Sequence, residues 1–141
     1  MIPYPGRTLT DIALRIVNTI APDAQSNFVQ ADAALISGLL LTLGQDYERA
    51  VDNRLQDIAA MRSIFARFTD IEPLGEELGA FVGRVPESFK LRDVNDVHAA
   101  GFDLLIRLHA WSEQHDADLD VAIWELLRAH SERNKFDMPG P

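Results

Sequence analysis

Cysteine is missing from this chain, and basic residues are scarce. With no Cys in 141 residues, disulfides, cysteine nucleophiles, Fe–S clusters and thiolate zinc sites are excluded. Lys and Arg number 13 against 22 Asp and Glu, for a net charge of -9. Eleven of the 13 bases are Arg, spread along the chain with no cluster of three. Nucleic-acid binding works by releasing counterions from phosphates onto a basic face, and an anionic membrane surface asks for the same sign of charge. Neither partner is expected. Long apolar runs are lacking too. The longest, Ala33 to Leu43, is interrupted by Ser37, Gly38 and Thr42 and is too short to span a bilayer. The opening Met1-Ile2-Pro3-Tyr4-Pro5-Gly6 has neither a basic start nor an apolar run, so no signal peptide is expected. These absences together suggest a cytoplasmic protein.

Strand signals are absent as well: there is no sustained period-two alternation and no Asn-Gly or Asp-Gly hairpin turn. What is present is helical periodicity, with 47% hydrophobic residues, enough to build a core without covalent help. The expected fold is all-α: a single domain over 1–141, a bundle of about five helices, and a loosely ordered tail at 135–141. The first helix is expected from Leu9 to Ile20, capped by Thr8 or Thr10 and ended by Ala21-Pro22-Asp23. A short helix is expected over about 74–82, stopped by Gly83 and Pro86; Gly75, Gly79 and Gly83 lie four residues apart, a spacing that permits close helix contact. Two longer helices follow, over about 93–115 with Asp93 as cap and about 118–134. Trp111 and Trp124 are expected to hold those two together.

The most informative stretch is 26–68. Phe28, Asp32, Leu35, Leu39 and Leu43 share one face, and Tyr47, Val51, Arg54, Ile58, Met61, Phe65 and Phe68 continue it in steps of four and three. Gly44-Gln45 is the only candidate break, and a single glycine is tolerated inside a helix at a cost of about 1 kcal/mol. One long helix is therefore favoured over a hairpin turning at Gly44. Such a helix would be roughly 64 Å long at about 1.5 Å per residue, against a diameter of roughly 40 Å for a domain of this size. Its apolar stripe then calls for a bend or for a second chain, and a homodimer is expected.

Candidate chemistry is sparse. His109, Glu113 and Asp116 lie at i, i+4 and i+7 on one helix, a credible divalent-metal set only if another element adds ligands. Asp116-x-Asp118-x-Asp120 resembles the start of a calcium loop, but Val121 stands where Gly is needed and Leu127 where a bidentate Glu is needed. The alternative is that these acids cap the last helix. Asp32 and Arg54 interrupt the long stripe and are candidate core polar groups. His98 and His130 flank apolar faces and read as core-edge histidines with backbone partners. No serine sits in a Gly-x-Ser-x-Gly elbow and no phosphate-cradling glycine loop occurs. No catalytic set emerges, no cofactor is expected, and no motif is complete enough to name a family.

Charge divides the chain by position: residues 1–45 carry a net -1, residues 46–69 are neutral, and residues 70–141 carry -8. The leading functional expectation is a helical interaction or scaffold module that self-associates through its long helix, with a further protein partner left open. The alternative is a magnesium-dependent hydrolase of nucleotides or phosphoesters, built on acids around Glu72, Glu76, Glu77 and Glu113.

Overall fold

A computed structural model of the chain describes residues 4–137 and shows an all-α protein. The described residues contain no strand and five α-helices: α1 Pro5–Arg15, α2 Asn27–Phe65, α3 Gly75–Val82, α4 Leu91–His115 and α5 Ala117–Arg133. The long helix is present, 39 residues without interruption. Two compact units divide within it: residues up to Ala50, with Phe136 and Asp137, form one, and Val51–Lys135 forms the other.

In the first unit, α1 starts four residues earlier than expected because Pro5 opens it. Proline's fixed φ suits the first helical position, and its missing N–H would have had no partner there. Thr8 and Thr10 do not cap. Their hydroxyls donate one turn back, to the carbonyls of Tyr4 at 2.9 Å and Gly6 at 3.1 Å. The helix loosens into a π turn at Ile16–Ile20 and a 3-10 turn at Ala21–Asp23, where Pro22 stops it. Gly44 is a point of close approach and not a break. A Cβ there would stand 3.0 Å from the Gly6 carbonyl oxygen and 3.5 Å from Leu9 Cβ.

The groups buried in this unit are small: Gly6, Ala13, Ala33, Ser37, Gly44 and Ala50. The large apolar side chains of α2 point the other way, with Phe28 80%, Leu35 62%, Leu39 56% and Tyr47 61% exposed. Asp32, expected as a core polar group, lies exposed among them. Of the tail expected to be loose, residues 138–141 lie outside the described residues. Asp137 is tied down: its N–H donates to Gln45 Oε1 at 3.0 Å, and its carboxylate pairs with Arg49 at 2.9 Å.

The second unit holds a continuous hydrophobic core. Ile58, Met61 and Phe65 of α2 enter it with Leu78 and Phe81 of α3, Val94, Val97, Leu105 and Leu108 of α4, and Leu119, Ile123 and Leu126 of α5. Phe65 and Phe81 meet edge to face at 5.3 Å, the arrangement aromatic quadrupoles favour. Gly75 and Gly79 serve the turn at Thr69 and not a second helix. A Cβ on Gly75 would collide with the Thr69 backbone, and one on Gly79 would rest 3.7 Å from the Thr69 methyl. α4 begins at Leu91, so Asp93 falls in its first turn instead of at the cap and accepts from Ser88 Oγ at 2.6 Å. Asp116 caps α5, accepting from the Leu119 N–H at 2.9 Å. Trp111 packs against the core, whereas Trp124 is 54% exposed and meets His109 in a T-shaped contact at 5.4 Å.

Two glycines in helix interiors are expected to respond oppositely to substitution. At Gly101 a Cβ would sit 2.6 Å from both Met61 Cε and Phe81 Cζ. Gly101→Leu is therefore expected to lower stability by about 1–3 kcal/mol through overpacking. Gly38 has nothing within 4 Å of the same position, so Gly38→Ala should raise stability by up to about 1 kcal/mol through helix propensity. Urea unfolding midpoints measure both.

Candidate functional site

In the second unit α2 buries Asn53, Asp57, Ile58, Met61, Ile64 and Phe65, steps of three and four that mark one broad helix face. Asp57 lies inside this face, and Arg54 stays half-buried at its edge. Arg54 is thus not the polar group at the centre of this core; Asp57 is, with its side chain 1% exposed.

Three side chains from two other helices close on that carboxylate. His98 Nε2 of α4 lies 2.9 Å from Asp57 Oδ2. His130 Nδ1 of α5 lies 2.7 Å from the same oxygen. Arg133, one turn beyond His130 on α5, donates Nη2 to Oδ1. An ionised carboxylate can only accept, so Nε2 of His98 and Nδ1 of His130 are the donors in these two bonds. Asn53 fixes the end of α5 by donating Nδ2 to the Arg133 carbonyl at 3.0 Å. Phe102 lies against both imidazoles, with ring centroids at 4.8 and 5.1 Å. Burial pushes the Asp57 carboxyl toward its neutral form. The hydrogen bonds from His98, Arg133 and His130 outweigh that and hold it below the usual carboxylate range.

A second cluster stands at the α4–α5 turn. His109 Nε2 lies 2.8 Å from Asp120 Oδ1, and Glu113 brings a carboxylate within 4.8 Å of both. An open cavity of about 240 Å³ adjoins it, lined by Ser112, Glu113, His115, Asp116 and Asp120 among others. Of the three residues expected here, His109 and Glu113 come together. Asp116 is spent on capping α5, and Asp120 stands in the third position. The glutamates considered for magnesium are dispersed: Glu77 is engaged by Arg107 in a two-pronged pair at 2.6 and 2.7 Å, while Glu113 belongs to the His109 cluster.

The Asp57 centre was half visible in the sequence. His98 and His130 stood out as core-edge histidines, but their partner is a side chain and not the backbone. Asp57 is hidden in the sequence pattern because the apolar stripe also runs through Arg54, Ile58 and Phe65. The signal available was Asp57 at one turn from Met61, with His130 and Arg133 three apart on an apolar helix. The chain matches no protein-family model, no curated protein and no solved structure.

Removing the carboxylate strands a guanidinium and two imidazoles in a largely dry place. Asp57→Ala is expected to cost about 3–5 kcal/mol, read as a lowered urea midpoint. Because the folded-state carboxyl ionises below its unfolded value, its contribution is complete above the unfolded carboxylate range, near about pH 4. It is lost as the pH falls through the lower folded value. Acid unfolding followed by circular dichroism should therefore show a smaller pH dependence in Asp57→Asn than in the native chain.

Proposed function

We propose that the protein is a helical interaction module that pairs with a second copy of itself through the N-terminal half of α2. The observation that carries this reading is the uncovered face of that helix: Phe28, Leu35, Leu39, Leu43 and Tyr47 are each more than half exposed, and Val29 and Ile36 border them. From Phe28 to Tyr47 the face runs roughly 28 Å at about 1.5 Å per residue. Contiguous exposed apolar surface on that scale marks an interaction site. The small residues buried on other faces of the same helix explain why the face is left over: they permit close packing and cover little apolar area.

A second copy suits this face on grounds of charge. Asp32 is the only ionisable side chain between Phe28 and Leu43, so two such faces meet without a ladder of like charges. The -8 of residues 70–141 works against docking those regions on one another. α2 is also long and apolar enough in composition to cross a membrane. However, Asp32 lies within the apolar face, where it would cost about 2.5–3.5 kcal/mol at a bilayer centre. The first 45 residues also offer no basic rim for lipid headgroups.

Sedimentation equilibrium at micromolar concentration is expected to give twice the chain mass of 15.7 kDa. Leu39→Glu, which places a charge mid-face on an exposed residue, is expected to yield a folded monomer. A native chain that stays monomeric, a Leu39→Glu variant that remains dimeric, or partition of the native chain onto phosphatidylcholine vesicles would each overturn the reading.

A further inference from the structure

We propose that Asp57, His98 and His130 form a binding site for one divalent transition-metal ion of the zinc class, with Arg133 as its outer partner. The three donors come from α2, α4 and α5, and their ligand atoms all lie within 4.8 Å of one another. Two imidazoles and one carboxylate make a donor set that borderline ions favour over magnesium or calcium, which prefer oxygen alone. The two ring nitrogens aim at the same oxygen, Asp57 Oδ2, from 2.9 and 2.7 Å. Zinc holds nitrogen and oxygen ligands at about 2.0–2.2 Å, so donors around it stand roughly 3.3 Å apart. Parting each ring nitrogen from Asp57 Oδ2 by about half an ångström brings both pairs to that spacing.

Protons balance without a further reactant. As the ion takes His98 Nε2 and His130 Nδ1, the proton on each of those nitrogens passes to solvent, and each ring keeps or regains one on its opposite nitrogen. The Asp57 carboxylate then bridges, with Oδ2 to the metal and Oδ1 still accepting from Arg133. A carboxylate shared between a ligand position and an outer donor is a common way to fix ligand orientation. Arg133 supplies an independent observation: its Nε–H is buried with no hydrogen-bond partner. In a guanidinium, Nε and one Nη donate side by side. A water, hydroxide or small anion completing the coordination would supply the missing acceptor and offset the added charge. Three protein ligands with a position left for such a group is the arrangement of zinc sites open to chemistry. The site needs only the second unit and does not depend on how copies pair.

The test uses the full chain without an affinity tag. Isothermal titration with Zn²⁺ is expected to show one ion per chain. His130→Ala, a change at a partly exposed side chain, should weaken binding about tenfold or more, and His109→Ala, in the other cluster, should leave it unchanged. Substitution at this centre can also unfold the chain, so a second measurement uses the native protein. On adding Co²⁺, the ring-proton NMR signals of His98 and His130 should shift or broaden strongly, while those of His109 and His115 should not. Absence of binding at millimolar Zn²⁺, perturbation confined to His109 and His115, or Zn²⁺ affinity undiminished in a folded His130→Ala chain would each overturn the proposal.

Discussion

A carboxylate removed from water must be answered by donors. In the second unit, that requirement ties three helices together at one point. Asp57 leaves α2 with almost no solvent contact, and its partners come from α4 and from two turns of α5. The hydrophobic core around Ile58, Met61, Leu105 and Ile123 is non-directional and would accept small slips of one helix past another. Three hydrogen bonds to a single carboxylate would not. The register of α4 and α5 against α2 is set where His98, His130 and Arg133 meet it. Asn53 repeats the same tie one turn earlier by holding the Arg133 carbonyl.

The first unit is built on the opposite principle. Among its described residues nothing charged is buried, and little that is large. Glycine, alanine and serine occupy its covered positions, and Gly44 lets the backbone of α1 come close. Close backbone approach gains dispersion contact but removes little apolar area from water. Phe28, Leu35, Leu39, Leu43 and Tyr47 of α2 are therefore left outside. One helix thus carries two chemistries along its length: an uncovered apolar face before Ala50, and a buried face with a polar centre after it. That contrast supports association through the first half and ligand chemistry through the second.

Helical periodicity made the fold class and the long helix readable from residues alone. Caps and starts were less readable. Pro5 opened α1 where the threonines had been expected to, and Lys90 rather than Asp93 stands at the start of α4. Such boundaries differ by small energies, and several residues compete for each. The histidine cluster at the α4–α5 turn was legible in part, because His109 and Glu113 share a helix face. Asp120 was not, because its approach depends on how the next helix leaves the turn.

By itself, the sequence determined the helices, the absence of thiol chemistry and the separation of a nearly neutral first half from an acidic second half. These follow from period, composition and position along the chain, which are local properties. Tertiary structure alone decided which face of α2 is covered. A helix's apolar stripe spans well over one residue on the wheel, and packing partners choose the centre of it. Placing that centre near Asp57 and not Arg54 puts a carboxylate inside the core. It also brings together His98 and His130, 32 residues apart in the chain. No local pattern encodes that convergence, because it exists only once three helices have docked.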